Sequence, residues 1–122
     1  MKTTIEWNAN FFGVEIQTDD MHFVVDANPS CVMNWYDAVR FYKDNKVWQL
    51  PTREHLKLIA EHIGEINTLI KANGGYEIQG YYWTADECNE FCAWVVTMHN
   101  GFTGYSYKYY LDYVRAVSAL SN

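Results

Sequence analysis

The apolar residues of this chain change their period twice, and that change decides the fold class. A helical period runs only through the middle of the chain, and the segments on either side alternate or form short apolar runs. Val14 to Gln17 and His22 to Val25 read as two strands joined at Thr18, Asp19 and Asp20. Residues 26–30, with Pro29, read as a loop. Residues 33–42, MNWYDAVRFY, read as a helix with Asn34 as its cap and Asp37 near the positive end of its dipole. Trp35, Val39 and Tyr42 share one face of it, with Ala38 beside them. Pro51 and Thr52 start a second helix with the stripe Leu56, Ile59, Ala60 and Ile63, and Gly64 is expected to end it. A short third helix is expected from Asn67 to Asn73, stopped by Gly74-Gly75. Beyond Tyr76 the helical period is gone. Tyr81 to Ala85 and Ala93 to Met98 read as strands, Asn100-Gly101 as a turn, and Tyr113 to Val117 as one closing strand. Strands, then helices, then strands point to α+β rather than alternating α/β.

Size and charge narrow the class further. The chain has 122 residues and is 49% hydrophobic, enough to bury one core in a single domain spanning 1–122. Its charged share is 20%, too low with this apolar content for a disordered chain. A formal charge of -6 argues against general nucleic-acid binding, which needs a basic footprint, and against docking on anionic membranes. No apolar run is long enough for a membrane span. The N-terminus has no continuous apolar stretch of the kind found in a secretory leader. The chain is therefore expected in the cytoplasm, or as part of a longer precursor, or exported without a classical leader. Cys31, Cys88 and Cys92 cannot all pair within one chain, so reduced thiols are expected.

Four segments in order resemble a bacterial domain family found at the C-terminus of collagen-like adhesins and as stand-alone paralogues. They are MNWYDAVRFY (33–42), WQLPTREHL (48–56) with INTLIKANGG (66–75), YYWTADE (81–87) and YVRAVSAL (113–120). The family pattern is a Trp-x-x-Ala helix, a Trp-Arg-Leu-Pro-Thr helix start, a Tyr-Trp-Ser-Ser-x-Glu strand and a closing Val-Arg-x-Val strand. The resemblance covers residues 12–120 and implies a C-type-lectin-like fold, with small antiparallel sheets and two to three helices. Formylglycine-generating enzymes and the variable proteins of diversity-generating retroelements are more distant relatives of that fold. The implied roles are adhesion and ligand binding, including sulfated polysaccharides. Gln49 stands where the pattern has arginine, and Thr84 and Ala85 stand where it has two serines.

Most residues with chemical potential also have a plain structural reading. Trp35, Trp48, Trp83 and Trp94 can stack on sugars, but large aromatics in such motifs more commonly fill a core. Arg115 is expected to be partly buried and tied to a carboxylate. Cys88 and Cys92 invite an enzyme reading, because formylglycine-generating enzymes use cysteines on this fold. A helix or bulge could bring them together, but on a simple strand they would stand about 13 Å apart, too far to share one ion. His55 and His62 lie about 10 Å apart along a helix, and no tight metal spacing occurs. Neither Glu-Pro-Asn nor Trp-Asn-Asp, the calcium-lectin motifs, is present. No cofactor, metal or catalytic set is expected.

The segment HNGFTGYSYKYYLDY, residues 99–113, carries five tyrosines among glycine, serine and asparagine. That mixture resembles a paratope, where stiff amphipathic rings alternate with small spacers. Tyr105, Tyr107 and Tyr109 alternate and could share one face of a strand; the competing reading is an aromatic strand pair that stabilises a sheet. The expected ligand-binding set is Asn100, Tyr105, Tyr107, Lys108, Tyr109, Tyr110 and Asp112. The leading expectation is a non-catalytic module that binds a carbohydrate or a protein. The alternatives are an assembly subunit of a phage-like or surface appendage, which oligomerises, and a formylglycine-generating-type enzyme.

Overall fold

The computed structural model describes residues 2–121. Four strands come first: β1 (Thr4–Asn8), β2 (Gly13–Gln17), β3 (His22–Asp26) and β4 (Cys31–Met33). Three helices follow: α1 (Trp35–Tyr42), α2 (Arg53–Glu61) and α3 (Ile63–Ala72). The chain then returns to strands: β5 (Tyr81–Glu87), β6 (Cys92–Thr97), β7 (Thr103–Tyr107), β8 (Asp112–Val114) and β9 (Val117–Ala119). This is the α+β order expected. The strands form two sheets, β1-β2-β3-β9 and β4-β8-β5-β6-β7. All pairings are antiparallel except β5 with β8, which is parallel through Tyr82 and Tyr113.

The middle of the second sheet, β5 and β6, has buried residues on both faces, and the alternation along β5 shows why. Tyr82 points into the larger core, with Val14, Ile16, Phe23, Leu56, Ile59, Ile66 and Val96. Trp83 points into a smaller core, with Trp35, Ala38, Leu50, Ala93, Val95 and Val114. A strand with a period of two can serve two cores only if both residue sets are apolar. Trp35 and Trp83 are therefore core residues. Each indole N–H is also satisfied, donating to the carbonyls of Thr84 and Met33 respectively, both at 2.9 Å.

The helix starts follow local chemistry. The Asn34 side chain accepts from the Asp37 amide at 2.9 Å. Thr52 and His55 form a reciprocal box, with the His55 Nδ1 accepting from the Thr52 amide at 3.0 Å and the Thr52 hydroxyl accepting from the His55 amide at 3.2 Å. Gly64 does not end α2. The break falls at His62, and α3 starts four residues before its expected start at Asn67, so Gly64 lies inside α3. The Ile63 and Ile66 spacing continues the apolar face across the junction, which outweighs the modest helical penalty of one glycine. Gly13 marks a place where no side chain fits: a Cβ there would stand 2.3 Å from the Val25 carbonyl oxygen.

The closing segment is two strands in two sheets, not one. β8 pairs with β4, and β9 pairs with β3. Arg115 and Ala116 make the crossing. Arg115 is fully buried there and donates to the Ser30 hydroxyl at 3.0 Å and to the carbonyls of Asp26 and Glu77, each at 2.9 Å. Its partners are thus a hydroxyl and two backbone carbonyls rather than the expected carboxylate. The planar guanidinium fork reaches three acceptors at once, at the end of β3, in the loop after it and in the loop after α3, and burial lowers its pKa. Gln49 is held at the same crossing by its backbone, which exchanges bonds of 2.8 and 3.0 Å with Val117.

The end of the chain is fastened to the first sheet by His22. Its Nδ1 lies 2.7 Å from the Ser121 carbonyl and its Nε2 lies 2.7 Å from a Glu15 carboxylate oxygen. Both neighbours are acceptors, so only the imidazolium can donate to both. The bond to Glu15 raises the His22 pKa, and the same bond lowers that of Glu15.

Candidate functional site

β7 pairs with β6 alone and forms an edge of the second sheet. Its register sets Tyr105 opposite Trp94 and Tyr107 opposite Cys92, with Ser106 opposite Ala93 on the other face. Tyr105 and Tyr107 therefore share a face, as their alternation predicts, and both stand in solvent. Their ring centroids are 6.1 Å apart at 81°, and Tyr107 meets Tyr110 at 5.4 Å and 85°. These edge-to-face contacts hold three exposed rings in one row.

A cleft of about 300 Å³ opens beside that row, lined by Cys88, Asn89, Phe91, Cys92, Tyr105 and Tyr107. Its wall is the tight turn between β5 and β6. The Asn89 side chain accepts from the amides of Phe91 at 2.7 Å and Cys92 at 3.0 Å. The Cys88 amide donates to the Cys92 carbonyl at 3.0 Å. That turn removes the separation a straight strand would impose, and both cysteines line the one cleft. Burial, and then the contact with Cys88, pushes the Cys92 thiol above its ordinary value. A thiol held protonated in this way is a poor nucleophile and a poor metal ligand.

Next along the same face, Arg53 lies over the Trp94 ring, with its guanidinium carbon 5.1 Å from the ring centroid. Asp86 holds it there: one carboxylate oxygen accepts from the Arg53 amide at 2.8 Å and lies 3.6 Å from its Nε. Arg53 has no signal in the sequence beyond its place at the start of α2. Its two partners lie far along the chain, in strands whose register no local pattern reveals.

The remaining expected site residues lie elsewhere. β7 ends at Tyr107, so Tyr109 is not on the strand; it sits in the following turn, exposed, with its ring 5.5 Å from that of Tyr36. Lys108 is 3% exposed and so does not contribute to the surface. Its ammonium pairs with Glu87 at 2.5 Å and lies 4.5 Å from the centre of the Trp35 ring. Its amide donates to Phe91 at 2.9 Å, and its carbonyl accepts from the Trp35 amide at 3.0 Å. Lys108 thus ties the tyrosine segment to the cleft wall and to α1. Asn100 lies beyond the far end of β7, in the turn after β6, where it accepts from the Phe102 amide at 2.9 Å. It lines a separate cavity of about 470 Å³ with Met21, Glu54, Lys57 and Leu58. Asp112, on β8, accepts from the Ser106 hydroxyl at 2.9 Å, and burial raises its pKa. It lines another cleft. The expected set is therefore split: Tyr105, Tyr107 and Tyr110 form the row, while Phe91, Cys88, Cys92 and Asn89 complete its cleft.

Among the described residues, no group of three or more His, Cys, Asp or Glu side chains could hold a metal ion, and no helix is long and apolar enough to cross a membrane. In comparisons with known proteins, no family model matches the chain, and no curated protein matches it.

Proposed function

We propose that this chain is a non-catalytic binding module of the C-type-lectin-like kind, which presents the row Tyr105, Tyr107 and Tyr110 to a carbohydrate. The observation that carries the reading is the row itself: three rings held edge to face in water beside a cleft of about 300 Å³. An exposed ring offers a flat apolar face to the C–H side of a sugar, and each tyrosine hydroxyl adds one donor and acceptor. Ordering such rings is entropically cheap, because a tyrosine has only two side-chain torsions to fix. The four resemblance segments support the same reading. They occupy α1, the start of α2, α3, β5 and the β8–β9 crossing, which build the scaffold, and the row lies outside them.

The test is binding of the purified protein to an array of glycans and sulfated polysaccharides, with calcium and with chelator, beside a Tyr105→Ala/Tyr107→Ala double variant. Tyr105 is 61% and Tyr107 46% exposed, so the variant is expected to keep its fold, which its urea unfolding curve checks. A hit that disappears in the variant supports the proposal. A hit that the variant retains places the site elsewhere, and no hit from either protein sets the carbohydrate reading aside.

One observation favours a second reading, an assembly subunit. β7 is an edge strand with unpaired backbone groups on one side, and it carries no proline and no exposed lysine to discourage pairing with another chain. A mass that rises with concentration, and falls back to the monomer in the double variant, would favour that reading over the first.

A further inference from the structure

Cys88 and Cys92 stand opposite each other across the turn that joins β5 to β6. The paired register of these strands ends at Glu87 with Ala93, so the next positions toward the turn are Cys88 and Cys92. The backbone continues the ladder there: the Cys88 amide donates to the Cys92 carbonyl at 3.0 Å. Residues bonded in this way across an antiparallel pair have Cα atoms about 5.5 Å apart and side chains on one face. A disulfide spans Cα separations of about 4.4–6.8 Å, so the main chain already holds the pair within bridging distance. The turn is fixed without help from the sulfurs, since the Asn89 side chain accepts from the amides of Phe91 and Cys92. Both cysteines line the cleft beside the tyrosine row, but unequally: Cys88 is partly open to solvent, whereas Cys92 is 4% exposed. Cys31 is placed apart from them. It lies exposed on β4, at the opposite edge of the sheet, and its cross-strand partner is Val114.

We infer that Cys88 and Cys92 form a thiol–disulfide exchange site for small disulfides, in which Cys88 meets the reagent and Cys92 resolves the product. The Cys88 thiolate attacks one sulfur of the reagent, the reagent's S–S bond breaks, and half of it leaves as a thiolate. The Cys92 thiolate then attacks the Cys88 sulfur, closing the cross-strand disulfide and expelling the second half. The two cysteines give up one proton each and the two released thiolates take up one each. Two electrons pass from the chain to the reagent, which is the oxidant. The division of roles follows from exposure, because a small disulfide in solution can reach Cys88 but not the covered Cys92. Burial also keeps the Cys92 thiol protonated, which disfavours its attack on free reagent. Its attack on Cys88 needs no second encounter, and the cross-strand placement supplies the high effective concentration that offsets a small thiolate fraction. This inference does not rest on the carbohydrate reading, since the tyrosine row takes no part in the exchange.

The test follows intact mass after addition of glutathione disulfide to the full chain carrying Cys31→Ser, a change at an exposed position that leaves only the pair to react. This protein is expected to lose two hydrogens and to retain no glutathione. With Cys92→Ser added, it is expected to stop at one glutathione, held on Cys88. With Cys88→Ser added instead, it is expected to react at least about tenfold more slowly, because the remaining thiol is buried. A second measurement needs no substitution in the pair. Phenylarsine oxide bridges two neighbouring thiols, forming two S–As bonds and releasing one water without any redox change. The Cys31→Ser protein is expected to take up one phenylarsenic group that a monothiol wash leaves in place and a dithiol removes. Glutathione retained on both cysteines, or an arsenical that a monothiol washes off, would overturn the pairing. Equal reaction rates for the Cys88→Ser and Cys92→Ser proteins would overturn the division of roles.

Discussion

The pair Lys108–Glu87 should respond very differently depending on which partner is removed. The Lys108 side chain is 4% exposed and that of Glu87 is 54% exposed, so nearly all the desolvation falls on the cation. Removing the carboxylate by Glu87→Ala strands an ammonium against the Trp35 ring. An uncompensated charge in a fully buried pair costs roughly 3–5 kcal/mol; because water can enter where Glu87 stood, about 2–3 kcal/mol is expected here. Removing the cation by Lys108→Met forfeits a cation–π contact of about 1–2 kcal/mol and one charged hydrogen bond. The same change relieves a desolvation penalty of several kcal/mol, and methionine keeps the stem against the ring. The net effect should stay within about 1 kcal/mol, and the double variant should match Lys108→Met to within about 0.5 kcal/mol. Urea unfolding followed by tryptophan fluorescence measures all four proteins. The melting temperature should fall by roughly 3–5 °C per kcal/mol for a chain of this size. If Lys108→Met proves more damaging than Glu87→Ala, the assignment of the buried burden to the cation is wrong.

Three further outcomes are expected. Arg115→Met should destabilise by about 2–4 kcal/mol in urea unfolding, because the Asp26 and Glu77 carbonyls lose their buried donor; Arg115→Lys should rescue only part of this, since one ammonium cannot span three acceptors. His22 has a raised pKa, so its contribution is complete below about pH 6.5 and is lost as pH rises through its folded value. His55, depressed by burial, acts on the acid side, where stability falls as pH drops below about 6.5. Stability measured from pH 5 to 9 should therefore peak near about pH 6.5, and His22→Asn should flatten only the alkaline slope. Glutathione disulfide should convert Cys88 and Cys92 to an internal disulfide, seen by mass as the loss of two hydrogens, while exposed Cys31 takes up glutathione. Mixed disulfides on both Cys88 and Cys92 would show that the turn does not bring their sulfurs together.

What the sequence revealed depended on how far each signal reaches along the chain. The α+β order, the Asn34 and Thr52 caps and the strands around Tyr82 and Val95 all rest on neighbours within a few residues, and those elements formed as read. β4 was missed because three residues make no period; its existence depends on β8, about eighty residues away. The closing strand read as continuous because Val114 and Val117 are both apolar. Its break at Arg115 answers to Ser30, Asp26 and Glu77, which lie 85, 89 and 38 residues away. The candidate site follows the same rule. The shared face of Tyr105 and Tyr107 is a two-residue period, so it could be read directly. The extension of that period to Tyr109 failed because the strand stops at Tyr107, where the chain turns to meet Phe91 and Trp35.

Lys108 is the instructive failure, because composition misled where spacing did not. A lysine between tyrosines in a polar, glycine-bearing segment reads as a surface cation. What overrides that is a half-exposed carboxylate 21 residues upstream and an indole from a helix in the first half of the chain, neither detectable from the segment itself. Burying one lysine fixes the path of the backbone at the point where the row Tyr105–Tyr107–Tyr110 turns the corner. The rings can then stand in water without the strand beneath them fraying. On this view the polar residue expected to give the surface its specificity instead gives it rigidity. If the row binds a ligand as proposed, its chemical selectivity is expected to come from groups at the rim: the tyrosine hydroxyls, Asn89, and Arg53 held over Trp94 by Asp86.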